Sequence, residues 1–202
     1  MSISNSNSSS NKPKIGCQHF KSLGKQILAE NNTLASAISD MADNIYGVGK
    51  VITEDQCNLF KALCDIKFEY DEGSLYKITV ADNILHGFKD IHKNSTENPL
   101  NMGHIRLGQS QDRETSEFGT GLKKALIFLA KFAEIYTRCV EPNGSVSYVH
   151  IVFDFVEMMN REDPEDSYEP TRFEIISEEV FRKFHLFETG STVILSSLRE
   201  SD

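Results

Sequence analysis

In the first half of the chain, helical patterns of apolar residues are followed by strand patterns. A helix is predicted over roughly 18–30, and a second helix follows in which apolar residues recur at spacings of four, three and four. That apolar stripe consists of Leu34, Ile38, Met41 and Ile45. The segment 54–63 is predicted to form a further short helix. Two strand patterns, at 66–70 and 75–82, flank a turn at 71–73 and predict a β-hairpin.

The second half opens with a polar stretch, from His86 to Glu117, that has no regular pattern, and its length is typical of a functional lid. A wide apolar face then predicts a helix over 121–138. Three more strands and one short helix at 177–184 are predicted, the strands being 145–158, 171–176 and 191–198. Helices on one face of a mixed, mostly antiparallel sheet accommodate this order. We therefore predict the α+β class, as a two-layer α/β sandwich.

Length, composition and charge narrow the class of protein. With 202 residues, the chain is predicted to form one domain over 18–202, preceded by a disordered Ser/Asn-rich tail over 1–17. A net charge of −9 argues against direct binding of nucleic acid. The four cysteines form no CxxC pair, and no apolar run approaches the ~18 residues of a membrane-spanning helix. We therefore expect a soluble intracellular protein, cytoplasmic or nuclear, without a membrane partner.

Asp40 and Asn44 stand four residues apart on the second predicted helix, beside its apolar stripe. Residues at this spacing lie on the same side of a helix. An amide oxygen suits magnesium, and a neighbouring carboxylate can orient or deprotonate a water molecule. The pair is compatible with a magnesium–phosphate site and equally with a plain solvated flank.

Asp82 ends the predicted strand 75–82, and Gly87 follows within the segment DNILHGF. A buried carboxylate at the end of a strand is costly unless it accepts hydrogen bonds, and the exocyclic amine of adenine is a suitable donor. Gly87 would let the backbone lie against a flat base. Thr192, at the start of the last strand, can donate or accept a hydrogen bond near Asp82. The alternatives are an Asp-Asn turn that closes the strand and a β-branched residue at a strand start.

The segment SEFGTGLKKA leads into the helix predicted at 121–138. Its two glycines, Gly119 and Gly121, leave backbone N–H groups accessible, and the positive end of the helix dipole attracts anions. Lys123, in the first turn, can add its charge to a phosphate contact. The spacing GxxxxGK[ST] of a P-loop is missing. A phosphate-binding loop and a simple loop-to-helix junction both remain open.

Four segments occur together in one order: AISDMADNIY (37–46), ITVADN…HGF (78–88), EFGTGLKKA (117–125) and GSTVIL (190–195). In this order and approximate spacing they resemble the motifs of the GHKL superfamily, the histidine-kinase-like ATP-binding domains that share the Bergerat fold. The similarity covers about residues 18–198. The segment EFGTGLKKA is most similar to the phosphate loop of the MORC ATPases or of the heat-shock chaperones in this superfamily.

The resemblance implies ATP and Mg²⁺ as ligands and gives particular residues roles. Asp40 matches the general base, and Asn44 matches the asparagine that coordinates magnesium. Asp82 matches the aspartate that binds the adenine amine, and residues 89–118 correspond to the ATP lid. The nucleotide-binding residues implied by the resemblance are Asn44, Asp82, Gly87, Gly119, Thr120, Gly121, Leu122, Lys123 and Thr192.

Three departures from the family pattern bear on activity. Asp40 stands where hydrolysing members carry glutamate, and retracting the carboxylate in this way can cost about 10²-fold in rate. Gly47 stands where the family has aspartate, and DNILHGF carries an extra residue, with Ile84 in place of a glycine.

The resemblance with these departures predicts ATP binding with weak or partner-dependent hydrolysis. It also predicts a lid that orders on nucleotide and controls a protein partner or a nucleotide-dependent homodimer. A stand-alone protein kinase of the anti-sigma type is one alternative. A non-catalytic interaction module that has lost the nucleotide is the other.

Overall fold

The computed structural model describes residues 20–30, 32–43, 61–85, 87, 121–140, 143–163 and 169–199. The predicted tail (1–17) and the predicted lid (89–118) lie outside these residues, as does most of the predicted helix 54–63. Among the described helices, none is long and apolar enough to cross a lipid bilayer.

The described strands form one six-stranded sheet. The strands are β1 (Cys64–Asp71), β2 (Ser74–Asp82), β3 (Ala130–Val140), β4 (Val146–Asp154), β5 (Arg172–Ile176) and β6 (Ser191–Leu198). Their order across the sheet is β1-β2-β6-β3-β4-β5, and each neighbouring pair is antiparallel. The α+β class is therefore confirmed, with an antiparallel arrangement throughout the described sheet where a mixed sheet was predicted.

The described residues also form five helical segments: α1 (Phe20–Ala29), α2 (34–43), α3 (Gly121–Leu129), α4 (Phe155–Asn160) and α5 (Glu178–Phe184). Side chains from α1 to α4 join one hydrophobic core with alternate residues of the strands, including Val80, Ile135 and Val193. We call this side of the sheet the helix face. Burial of these apolar side chains is the main force that holds the two layers together.

The short helix α5 packs on the opposite side of the sheet, which we call the outer face. Phe184 stacks on Tyr136 with ring centroids 4.3 Å apart, and Phe181 contacts Tyr148 at 4.9 Å. Both tyrosines alternate along their strands with core residues and so project away from the core. The prediction that helices lie on one face thus holds for α1 to α4, whereas α5 covers part of the other face.

The apolar stripe predicted for the second helix corresponds to α2. Met41 is buried in the core and Ile38 packs against it, but Leu34 at the start of the helix is 43% exposed. Ala37, which the stripe did not include, is buried. Ile45 lies outside the described residues.

The prediction of one helix over 121–138 is wrong, because α3 ends at Leu129 and the chain continues directly as strand β3. From Ala133 onward the residues that face the core recur at every second position, as in a strand: Ala133, Ile135, Thr137 and Cys139. β-branched and aromatic residues at 135–137 favour a strand over a helix. The apolar run is long enough to fit both the period of a helix and the period of a strand, so the predicted helix extends too far.

The predicted strand 145–158 is also too long. Asp154 caps a helix instead, since its carboxylate accepts hydrogen bonds from the backbone N–H groups of Val156 and Glu157. The chain therefore leaves the sheet after β4 and forms α4, whose Phe155 and Met158 enter the core. Residues 61–63, the described end of the predicted helix 54–63, are not helical.

Candidate functional site

The candidate site lies where two interior strands of the described sheet meet, at the end of β2 and the start of β6. Asp82 is the last residue of β2, and Ser191 is the first residue of β6. Ala81 pairs with Thr192, so Asp82 and Ser191 are neighbours across the two strands. Ser191 in turn pairs with Thr137 of β3, and their hydroxyl oxygens are 2.8 Å apart. Asp82, Ser191 and Thr137 alternate with core residues in register and share the helix face. We call these three residues the Asp82 cluster.

The carboxylate of Asp82 is buried, with 9% of the residue exposed. Burial raises its pKa to about 7, although two backbone hydrogen bonds, from the N–H groups of Ile84 and Ser191, act in the opposite direction. The bond from Ile84 to Oδ1 measures 2.8 Å. A carboxyl group in this environment sits near the midpoint of its titration at neutral pH. Such a perturbed group at the end of a strand is a functional-site candidate.

Two glycines bring backbone directly against the Asp82 cluster. Gly87 has φ +54°, and a methyl group there would collide with the carbonyl oxygen of Arg138 and come within 2.7 Å of the Thr137 hydroxyl. Gly190 has φ +110°, and a methyl group there would collide with the carbonyl oxygen of Asp82 and lie 2.8 Å from its carboxylate. Both backbone conformations favour glycine. The two glycines therefore form close-fitting walls around the cluster.

The loop that follows Asp82 is tied to the sheet by hydrogen bonds. The side chain of Asn83 accepts from Leu63 N and donates to Lys61 O. Arg138 donates from Nη1 to Leu85 O at 3.0 Å, and Gly87 N donates to Ile84 O at 3.1 Å. The turn after β2 thus returns Gly87 to the Asp82 cluster.

Thr192 does not join the Asp82 cluster. Its side chain projects to the outer face, where its hydroxyl lies 2.8 Å from Nδ1 of His185. Ser191 stands instead beside Asp82, because successive residues of a strand point to opposite faces. The expected hydroxyl near Asp82 is therefore present one residue earlier than predicted. Val193 and Leu195 face the core, and Ser191 stands two residues before Val193 in the same alternation. The apolar pattern of β6 therefore places Ser191 on the helix face.

Thr137 and Gly190 are not among the predicted site residues. The predicted helix over 121–138 includes Thr137, so the sequence pattern does not place Thr137 opposite Ser191. In the sequence, Gly190 is only the first residue of the motif GSTVIL. A glycine before a strand carries little information until its partner, here the end of β2, is known.

The other predicted residues lie on α2 and α3. Asp40 is exposed on α2 and borders a cleft of about 20 Å³ between the two helices, together with Lys124. Gly121 begins α3, and Leu122 packs against the core. Lys123 is largely buried in the first turn, and this burial lowers its pKa to about 8. A cation with restricted hydration at a helix N-terminus suits an anionic ligand.

Three predicted site residues, Asn44, Gly119 and Thr120, lie outside the described residues. In the part of the chain that is described, no group of three or more His, Cys, Asp or Glu side chains is arranged to hold a metal ion. The structure thus brings together the Asp82 cluster, Gly87 and Gly190 at the end of β2, whereas Asp40 and Lys123 lie separately on α2 and α3. Neither a protein-family model nor a curated protein sequence matches the chain.

Proposed function

We propose that this chain binds ATP, with the adenine base held at the Asp82 cluster. The observation that carries the proposal is the buried carboxylate of Asp82 beside the hydroxyl pair of Ser191 and Thr137. An ionised carboxylate in such a position is unfavourable unless it accepts strong hydrogen bonds. The exocyclic amine of adenine supplies a donor that a carboxylate can accept.

The carboxylate of Asp82 favours a purine with an amine at position six. Adenine presents an amine donor there, next to a ring nitrogen acceptor, and the amine matches the carboxylate acceptor of Asp82. Guanine presents a carbonyl acceptor and an N–H donor in the reverse order. The cluster therefore favours ATP over GTP.

Two glycines lie against the Asp82 cluster. Gly87 and Gly190 lack side chains at the points where a methyl group would strike the cluster or the neighbouring backbone. Backbone therefore packs directly against the cluster at both positions. A base bound at Asp82 would lie beside these two glycines.

The phosphates are proposed to extend toward the start of α3. Lys123 is a buried cation in the first helical turn, and Gly121 begins the helix. Backbone N–H groups at a helix N-terminus bind phosphate oxygens. By the GHKL resemblance, Gly119 and Thr120 would complete the loop, and Asn44 would hold Mg²⁺, which would neutralise phosphate charge.

The binding proposal is tested by isothermal titration of the full chain with ATP and with GTP in the presence of Mg²⁺. We expect ATP to bind and GTP to bind more weakly. Asp82→Asn is expected to weaken ATP binding by about 100-fold, because an ionic acceptor for the adenine amine is lost. Asp65→Asn, an exposed change on the opposite face of β1, is the charge-matched control and should bind as the wild type does. Absence of heat with ATP for the wild type would overturn the proposal.

Hydrolysis is proposed to be weak or dependent on a partner, with Asp40 as the general base. Asp40 is exposed on α2, so its carboxylate is accessible to water. Asp40→Ala should leave the ATP affinity within about twofold, because Asp40 lies on α2 and is not part of the Asp82 cluster that is proposed to hold the base. A positioned general base contributes about 10²–10⁴-fold, so phosphate release, with any activating partner present, should fall by at least that lower factor. Turnover that persists in Asp40→Ala would exclude Asp40 as the base.

A lid that orders on nucleotide would then regulate a protein partner or a homodimer. A segment that closes over phosphate is a common means of coupling nucleotide to an interaction surface. The mass of the protein in solution, measured with and without a non-hydrolysable ATP analogue, distinguishes a homodimer from a heterologous partner.

A further inference from the structure

His185 lies behind the Asp82 cluster, on the outer face of the sheet. We infer that His185 is a positioning residue that holds Gly190 and Ser191 against Asp82 and thereby sets the shape of the base pocket. The effect of His185 on nucleotide affinity rests on the proposed function, whereas its effect on the geometry of the Asp82 cluster does not.

Two hydrogen bonds of His185 bracket the segment that it positions. Nε2 lies 2.8 Å from the carbonyl oxygen of Thr189, and Nδ1 lies 2.8 Å from the hydroxyl of Thr192. Gly190 and Ser191 are the two residues between these anchor points. One imidazole ring therefore fixes the entry and the exit of the short segment that contacts Asp82.

The chemistry of the partners determines the tautomer of the ring. A carbonyl oxygen can only accept, so Nε2 of His185 carries the proton and donates to Thr189 O. The neutral ring then has its lone pair on Nδ1, which accepts a hydrogen bond from the Thr192 hydroxyl. Burial lowers the pKa of His185, which favours this neutral form. Thr192 is thus committed to the histidine rather than to a ligand.

The imidazole is itself held rigidly. His185 is buried, stacks on Phe181 at 4.6 Å and meets the ring of Phe187 edge-on at 5.9 Å. Phe181 is fully buried within α5. The position of α5 on the outer face is therefore transmitted through His185 to the start of β6.

The same segment is fastened to the loop that follows Asp82. The hydroxyl of Thr189 donates to the carbonyl oxygen of Asn83 at 2.8 Å. Gly190 O accepts from Arg138 N at 3.1 Å, which joins it to β3 as well. The backbone N–H of Ser191 donates to the Asp82 carboxylate. Its position depends on this network, in which His185 is the only described side chain that bonds both residue 189 and residue 192.

Two variants of the full chain test the inference, His185→Phe and Thr192→Val. The first removes both hydrogen bonds and keeps a ring, and the second removes one bond and keeps the β-branched shape. Two readouts need no nucleotide: amide hydrogen exchange at Ser191 and the titration of the Asp82 carboxyl group followed by carbon-13 NMR. Exchange should accelerate and the pKa of Asp82 should rise in both variants, because the Ser191 amide that lowers it is displaced. ATP affinity should fall about tenfold.

His150→Phe is the matched control. His150 is another buried histidine on the outer face, but its ring nitrogens bond Glu134 and Glu174, on β3 and β5. This variant should leave Ser191 exchange, the Asp82 titration and ATP affinity unchanged. Wild-type values of the Asp82 pKa and of Ser191 exchange in Thr192→Val would overturn the inference even if His185→Phe fails to fold. If the two nucleotide-free readouts shift while the wild type does not bind ATP, the positioning role stands and the proposed function fails.

Discussion

Replacing Asp82 by asparagine is expected to stabilise the nucleotide-free protein above pH 7. The pKa of this carboxyl is raised from 3.8 in the unfolded chain to about 7 in the folded protein, mainly by burial. The folded state therefore binds the proton more tightly than the unfolded state, and the contribution of Asp82 to stability falls as pH rises from about 4 to about 7. The full difference in pKa corresponds to about 4 kcal/mol in the free energy of unfolding. Asparagine keeps an acceptor for Ile84 N and Ser191 N but cannot ionise.

Chemical denaturation of the wild type and Asp82→Asn between pH 4 and pH 8 measures this effect. The free energy of unfolding of the variant, minus that of the wild type, should increase by up to about 4 kcal/mol across this range. The exposed Asp65→Asn control should show a nearly constant difference. A difference for Asp82→Asn that does not change with pH would mean that the carboxyl is not held in a destabilising environment. A variant that gains stability and loses ATP would identify Asp82 as a group retained for binding.

Gly190→Ala is expected to destabilise the protein by roughly 3–5 kcal/mol. Two physical effects add at this position: the left-handed backbone conformation is strained for alanine, and the new methyl group collides with the carbonyl oxygen of Asp82. That oxygen belongs to strand backbone and cannot move without disrupting the end of β2. The carboxylate of Asp82, 2.8 Å from the same methyl position, would also be displaced.

Gly144→Ala provides the control for the collision at Gly190. Gly144 has φ +82°, but a methyl group there meets nothing within 4 Å. Its replacement should cost only the conformational strain, about 1–2 kcal/mol. Thermal and denaturant unfolding of the two variants separates the cost of backbone strain from the cost of the collision. Equal losses of stability in the two variants would show that the close approach of Gly190 to Asp82 is not a tight constraint. ATP affinity should fall for Gly190→Ala alone.

The sequence was most informative where one hydrophobic period applied from end to end. The hairpin of β1 and β2 and the last strand β6 follow the predicted bounds closely, since each has a clear turn or an uninterrupted apolar alternation. It was least informative where a period changes without a break. The passage from α3 to β3 contains no glycine or proline, so the switch depends on pairing with β4 and β6, which local pattern does not reveal.

The residues of the candidate site also differ in how well the sequence predicts them. Asp82 and Gly87 could be predicted from the sequence, because a carboxylate at the end of a strand and a glycine close behind it are local features. Ser191 required the correct assignment of faces on β6, and Thr137 required knowledge that β3 is a strand at all. His185 acts across the thickness of the sheet, and no sequence spacing predicts a contact from the other side.

The position of β6 gives the order in which the pocket can be made. The chain emerges from the ribosome with β1 and β2 first and with β3, β4 and β5 later, yet β6 lies between β2 and β3 and is the last of the six described strands to be synthesised. Before β6 is synthesised, the hairpin and the three-stranded unit share no pairing among the described strands, because β6 is the one described strand that pairs with both. Contacts between such distant parts of a chain form slowly. Asp82 therefore gains Ser191 as a neighbour only after β1 to β5 have been synthesised, so the Asp82 cluster is completed after all five of those strands.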